Sequence, residues 1–231
     1  MDILFDLDGT LTDPVLGITR CIQHALVNLG RTAPDLAPDL APDLDSLRRY
    51  VGPPLQDSFA ELLETQDEVL LAEAIRLYRE RFKPIGMFEN SVYPDVPEGL
   101  ETLRAQGHRL WVATSKPHVF AREIVQHFGL AGFFERVYGS ELSGVNADKG
   151  DLIRHLLAEE AIPPEQAWMV GDRMHDVIGA RRNGVEAIGV LWGYGSEEEL
   201  RAAGPRRIVA SMAELCEAIQ MERRPREAEA S

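Results

Sequence analysis

The chain is predicted to be an α/β protein, with a parallel sheet covered on both faces and an inserted α-helical cap. Three observations predict this. Short apolar runs alternate with amphipathic helical stretches along most of the 231 residues. The alternation breaks over residues 14–90, where only helical patterns occur. Acidic and hydroxyl-bearing residues gather just after the apolar runs, and open parallel sheets bind ligands beyond those strand ends.

The first strand is read at 2–6, from the apolar run Ile3-Leu4-Phe5. Further strands are expected at 109–114, 135–139, 167–171, 186–191 and, weakly, 207–209. Helices fit 97–106, 118–128, 149–160, 174–183, 196–203 and 211–220. The break at 14–90 holds helical patterns near 15–29, 45–50, 55–64 and 67–82, and is read as a cap carried on linkers near 12–15 and 85–95. Tyr93-Pro94-Asp95-Val96-Pro97 suits a stiff return linker, because proline restricts itself and the residue before it. The expected domains are therefore a core of 1–13 and 91–220, a cap of 14–90, and a charged, disordered tail of 221–231. Ala-Pro-Asp-Leu occurs three times over 33–44. A proline every fourth residue blocks a regular helix, so the repeat reads as a surface loop between cap helices.

Composition narrows the partners. The net charge of −14 argues against nucleic acid, whose backbone needs a basic face. A small phosphorylated substrate stays open, since a bound cation and a few placed lysines reverse the sign locally. No apolar run approaches membrane-spanning length, so no membrane partner is expected. The first acidic motif starts at residue 6, so no signal peptide is expected before it. The two cysteines, Cys21 and Cys216, fit reduced thiols in a cytoplasmic protein.

Four motifs carry the candidate chemistry. Asp6-Leu7-Asp8-Gly9-Thr10-Leu11 puts two acids at the end of the first strand. Strand alternation would project both to one side, and a Gly-Thr turn lets them diverge. Buried acids so close are costly unless a cation or proton holds them, which suggests a Mg2+ site with a nucleophile and a proton carrier. Thr114-Ser115-Lys116 ends the second core strand, where a hydroxyl and backbone N–H groups can hold phosphate oxygens or simply cap a helix. Asp148-Lys149-Gly150 opens a helix with a lysine the helix dipole disfavours, so either a partner anion or solvent must compensate it. Gly171-Asp172-Arg173-Met174-His175-Asp176 follows a buried run, and its two acids can serve a hard cation or a helix cap. His175 is not counted as a ligand, because Mg2+ prefers oxygen.

Taken in order, the four motifs resemble the haloacid dehalogenase superfamily of Mg2+-dependent phosphohydrolases, from Asp2 to about Ala218. The insertion after the first motif is similar to that superfamily's first cap class. The resemblance implies a Rossmann-like core and a two-step phosphomonoesterase mechanism. Asp6 would be the nucleophile forming an aspartyl-phosphate, and Asp8 the general acid and base. Thr114, Ser115, Lys149 and the Leu7 amide would hold the phosphoryl oxygens. Mg2+ would be held by Asp6, the Asp8 carbonyl, Asp172 and Asp176. An acid at position 8 favours phosphate esters over halides, because an alkoxide leaving group needs a proton.

Substrate choice is expected to lie with Arg48-Arg49-Tyr50-Val51-Gly52-Pro53-Pro54-Leu55, where Gly52 and the prolines make a rigid turn and Arg48 or Arg49 meets an anionic leaving group or solvent. Lys116 is expected to line the site. Arg79 and Arg81 read as surface charge. Val51 to Leu55, Tyr93-Pro94, Gly139 to Leu142 and Asp148-Lys149 look most like phosphoglycolate phosphatase-like and 5′-nucleotidase-like members, apart from Asp95, where members commonly carry glycine. The implied partner is a small phosphorylated metabolite, acted on by a monomer or homodimer. A phosphomutase on the same scaffold and a non-catalytic binding protein are the competing readings.

Overall fold

The computed structural model describes residues 1–31, 47 and 49–229, with backbone alone for 223–229. The Ala-Pro-Asp-Leu repeat, Arg48 and most of the 45–50 pattern lie outside the described residues. Contacts divide the chain into two compact units, Met1–Leu11 with the chain from Val92 onward, and Thr12–Ser91.

The first unit is built on a six-stranded sheet. Its strands are β1 (Asp2–Phe5), β4 (Arg109–Pro117), β5 (Arg136–Ser140), β6 (Ala167–Gly171), β7 (Glu186–Val190) and β8 (Arg207–Val209). The spatial order is β5-β4-β1-β6-β7-β8, and every pairing is parallel. The chain winds from β1 outward through β4 and β5, then returns to β6 on the other side of β1. Connections therefore leave β1 and β6 in opposite directions, which opens a crevice at their C-terminal ends.

Both faces of this sheet are covered, which is why its strands are apolar runs and not alternating ones. All of β1 and β6 is buried. On one face Leu4, Trp111, Ala113 and Met169 pack under Leu152, Ile153 and Leu156 of α6 (Lys149–Glu159) and Val177 and Ala180 of α7 (Met174–Arg182). Alternation places Phe5, Val112, Val170 and Ile188 on the other face. There α4 (Val96–Ala105) and α5 (His118–His127) contact β4, and α9 (Met212–Glu229) contacts α4 and β8. At the strands' N-terminal end, Asp2 accepts hydrogen bonds from Arg109 and Trp111 Nε1, both at 2.9 Å.

The second unit holds α1 (Val15–Asn28), α2 (Leu55–Leu63) and α3 (Glu68–Phe82). Asp67 caps α3 by accepting from the amides of Val69 and Leu70. Phe59, Tyr78 and Phe82 form an aromatic chain, with Tyr78 edge-on to Phe59 and stacked on Phe82. Gly17 meets the Gly86 carbonyl so closely that a Cβ there would sit 2.0 Å from its oxygen. Arg81, read from sequence as surface charge, is instead mostly buried and pairs with Glu89 at 2.6 Å, with Arg20 on the same carboxylate. A cation needs a partner in such a setting, and the partner is eight residues away in sequence, beyond helical spacing.

Several boundaries differ from expectation, and β4 runs on to Pro117 past its expected end at 114. The linkers contain two-residue strands, β2 (Thr12–Asp13) and β3 (Ser91–Val92), which form a separate two-stranded sheet. Val96 and Pro97 belong to α4 and not to the linker, since proline is well suited to a first helical turn. Helical backbone continues through α9 to Glu229, past the expected end at 220. Among the described residues no helix is long and apolar enough to cross a membrane.

Candidate active site

The crevice between β1 and β6 is where the four motifs converge. The Asp6 amide extends the β1–β6 ladder by bonding the Val170 carbonyl at 2.9 Å. The chain then turns away, with the Thr10 and Leu11 amides both bonded to the Leu7 carbonyl. Gly9 makes that turn possible. Its φ is +85°, and a Cβ there would lie 2.3 Å from Asp172 Oδ2. Asp172, directly after β6, thereby lies against the first motif, and Thr10 Oγ1 donates to its Oδ1 at 3.3 Å.

Lys149 occupies the first turn of α6, behind the cap residue Asp148. Its Nζ lies 3.0 Å from Asp6 Oδ1 and 2.8 Å from Asp176 Oδ1, and donates a hydrogen bond to the Ala113 carbonyl at 2.9 Å. Two buried carboxylates thus compensate a lysine that the helix dipole disfavours. Burial alone would lower the Lys149 pKa, but Asp176 and Asp6 more than offset it and the net shift is upward. Gly179 of α7 permits this arrangement, since a Cβ there would come within 3.0 Å of the Lys149 backbone and side chain.

Asp6, Asp172 and Asp176 offer carboxylate oxygens that all lie within 4.8 Å of one another. Asp6 Oδ1 and Asp176 Oδ1 are buried, and Lys149 stands at ion-pair distance from both. An ammonium has three hydrogens, so Lys149 serves both oxygens and the Ala113 carbonyl at once, and each carboxylate oxygen keeps a further lone pair. Burial, reinforced by Asp176 and Asp6, pushes the Asp172 carboxyl up to about 8. Burial likewise raises Asp176, against the pull of Lys149. Crowded, dry oxygens with unmet acceptor capacity fit a hard divalent cation with oxygen ligands.

Asp8 stands apart from that trio. Its carboxylate is held by Lys116, whose Nζ lies 2.9 Å from Oδ1 and 2.6 Å from Oδ2. Burial raises the Asp8 pKa, and Lys116 opposes the rise. The side chain expected to line the site therefore engages the candidate proton carrier. Thr114 is buried in β4, just before its register shift, and accepts from the Lys116 amide at 3.3 Å. Ser115 is partly exposed, and its carbonyl accepts from Ser140 Oγ at 2.8 Å. His175 has its pKa lowered by burial and then by Arg173.

Arg49 and Gly52 belong to the helical unit. Arg49 is exposed, donates to the Tyr50 hydroxyl at 2.7 Å and pairs with Glu61 at 2.9 Å. Gly52 has φ +104°, as a tight turn before α2 requires.

Sequence reasoning missed the loop after β7. The Tyr194 amide donates to Asp172 Oδ2 at 2.8 Å, and Trp192 Nε1 donates to the Thr10 carbonyl at 3.0 Å. A Cβ on Gly193 would lie 2.3 Å from Asp172 Cβ, and one on Gly195 would lie 1.9 Å from the Asp172 carbonyl oxygen. The available signal was a Gly-x-Gly pair beyond a strand's C-terminal end.

Comparison with known proteins agrees with this geometry. A family described as haloacid dehalogenase-like hydrolase matches residues 3–190. A 5′-nucleotidase of Pseudomonas aeruginosa is 50% identical over 219 residues, 95% of each chain. Tyrosine-protein kinase PtkA of Mycobacterium tuberculosis is 38% identical over 195 residues, 84% of this chain and 62% of that one. Proteins named phosphoglycolate phosphatase match at lower identity. The crystal structure of a predicted phosphatase from Clostridium acetobutylicum superposes with a TM-score of 0.88 at 44% identity, covering 95% of this chain and 98% of that one. The sheet order, the four converging motifs and these matches together place the chain in the haloacid dehalogenase-like hydrolase family.

Proposed function

We propose that the chain, a phosphoric monoester hydrolase, cleaves small phosphorylated metabolites in two steps with Mg2+ at its carboxylate trio, nucleoside 5′-monophosphates first among its substrates. The observation that carries this reading is the trio of buried acids, two of them bridged by Lys149, with Asp8 on the turn after β1 and Thr114 in the C-terminal part of β4.

In the first step the Asp6 carboxylate attacks phosphorus and the bond to the leaving oxygen breaks. Asp8 gives that oxygen a proton, and an aspartyl-phosphate forms on Asp6. In the second step Asp8 takes a proton from water, the water oxygen attacks phosphorus, and inorganic phosphate leaves with Asp6 restored. Lys149, Thr114 and the Ser115 amide stabilise the charge on the phosphoryl oxygens. Asp6, Asp172, Asp176 and the Asp8 carbonyl would hold Mg2+, which supplies positive charge at the reacting phosphoryl group when bound.

The 5′-nucleotidase relative supports the nucleotide class, and the phosphoglycolate phosphatases keep a small acid phosphate in play. Arg49 and the Gly52 turn are the helical unit's candidates for meeting the leaving group. Cys21 and Cys216, neither of them in a disulfide, support a reducing, cytoplasmic setting. Phosphate release should be measured across 5′-nucleotides, phosphoglycolate, sugar phosphates and an aryl phosphate. A 5′-nucleotide is expected to lead by about 100-fold in kcat/KM, the discrimination a built pocket supplies. Equal rates throughout would contradict the nucleotide assignment.

The similarity to PtkA favours one second reading, phosphoryl transfer to an acceptor other than water. Release of free phosphate in step with substrate loss would dismiss it, and the phosphomutase alternative with it.

Mg2+ binding should also release protons. Burial pushes the Asp172 carboxyl up to about 8 in the metal-free fold, above its ordinary value of 3.8, so the apo protein favours the protonated form there at neutral pH. A raised carboxyl stabilises the apo fold at low pH, and that stability is lost as pH rises through about 8. Mg2+ needs the ionised form, so its affinity should climb with pH over the same interval. Calorimetry in buffers of different ionisation enthalpy reads the proton count, and none released at pH 7 would contradict the assignment of Asp172.

A further inference from the structure

We propose that Lys116 is a positioning residue for Asp8, holding its carboxylate clear of the Asp6–Asp172–Asp176 group so that it is kept for proton transfer to the leaving oxygen. The inference rests on the reading of Asp8 as general acid and base.

Lys116 is a buried cation on a backbone fixed from three sides. Its amide donates to Thr114 Oγ1 at 3.3 Å. The preceding carbonyl, of Ser115, accepts from Ser140 Oγ at 2.8 Å. Its own carbonyl lies against Gly139, where a Cβ would approach to 2.5 Å. The β4–β5 register shifts between Thr114 and Pro117, which turns the strand just where Lys116 leaves it. An ammonium on so fixed a segment has a defined reach, and it meets both oxygens of Asp8, at 2.9 and 2.6 Å. The side chains are only 6% and 10% exposed, so water does not substitute for either partner.

The arrangement solves a local problem. Asp6 and Asp8 are two residues apart beside two more buried acids, and an unrestrained Asp8 side chain would compete for the cation and for Lys149. Lys149 is committed to Asp6, Asp176 and the Ala113 carbonyl. Lys116 supplies a separate cation for Asp8, so the acids that hold a cation and the acid that moves a proton are kept apart. Neither lysine can replace the other, because Lys149 leaves the first turn of α6 and Lys116 the C-terminal part of β4.

The test is a double-mutant cycle read with two leaving groups. In Lys116→Met, kcat/KM should fall about 100-fold for an alkyl phosphate, the scale of general acid catalysis. It should fall much less for a dinitrophenyl phosphate, whose leaving group needs no proton. Lys116→Arg should recover a substantial part of the alkyl rate. In an Asp8→Asn background, where the carboxylate that Lys116 positions is already gone, adding Lys116→Met should change the residual aryl rate by less than about 3-fold, because residues acting as one unit are not additive. That comparison holds even if the single Lys116 variant fails to fold. Equal losses for both leaving groups, or a further large loss in the Asp8→Asn background, would overturn the proposal and assign Lys116 to substrate binding or to structure. Wild-type protein inert on both esters would instead defeat the hydrolase mechanism on which the proposal rests.

Discussion

Asp6→Asn is expected to lower kcat by about 10^5-fold or more, the loss seen when a covalent nucleophile is removed from a preorganised site. The change is nearly isosteric and removes only one charge. Lys149 keeps Asp176 as a partner, so the fold should survive with its melting temperature close to that of wild type. Substrate should still bind, since Thr114 and Lys149 are untouched. Phosphate release under saturating substrate and equilibrium binding of a 5′-nucleotide, measured on the same preparation, check both halves. Residual turnover of a few per cent would mean that water attacks phosphorus directly and Asp6 only binds charge.

Lys149→Met is expected to have the second largest effect, and on two readouts. The ammonium bridges two carboxylates in a dry setting, with its own side chain 4% exposed. Removing one partner of a buried ion pair leaves uncompensated charge and costs about 3–5 kcal/mol. Here it leaves Asp6 facing Asp176 with no cation between them, so the metal-free protein should melt well below wild type. Mg2+ should restore much of the difference, because it supplies the missing charge to the same oxygens. Turnover should not recover with stability. The donor to the phosphoryl oxygens is gone, and loss of one such donor costs about 10^2 to 10^3 in kcat. Thermal unfolding with and without Mg2+, paired with kcat at saturating Mg2+, separates the two roles. A variant that regained both together would place Lys149 in a purely structural role.

The parts of this site legible in sequence are those whose cause is local. A buried strand must be apolar, so Ile3-Leu4-Phe5 and Trp168-Met169-Val170 announce β1 and β6, and the acids after them stand out because they follow such runs. Lys149 was visible as a charge in an unfavourable helical position. What remained illegible depends on pairing across the fold. The bond from Tyr194 to Asp172 spans 22 residues and that from Lys116 to Asp8 spans 108, and nothing in either segment's own periodicity announces its partner. The same holds for Arg81, whose position on α3 suggests solvent until Glu89 folds back onto it. Strand ends depart from the apolar pattern where turn geometry overrides propensity. β4 continues to Pro117 through a register shift that a pattern of apolar residues does not encode. Asp95, conspicuous in the return linker, is the residue before α4 and makes no side-chain capping bond there.

The measurement closest to the chemistry is a chemical trap of the covalent intermediate. Enzyme mixed with excess substrate and Mg2+ should be quenched in the millisecond range, reduced with borohydride and digested. Borohydride reduces an acyl phosphate to an alcohol, so a phosphorylated Asp6 would be converted to homoserine and identified by peptide mass. Homoserine at position 6, formed only with substrate and absent in Asp6→Asn, is the expected result. An active enzyme that yields no reduced residue at position 6 during steady turnover, or one reduced at Asp8, Asp172 or Asp176 instead, would contradict the assignment of Asp6 as the nucleophile.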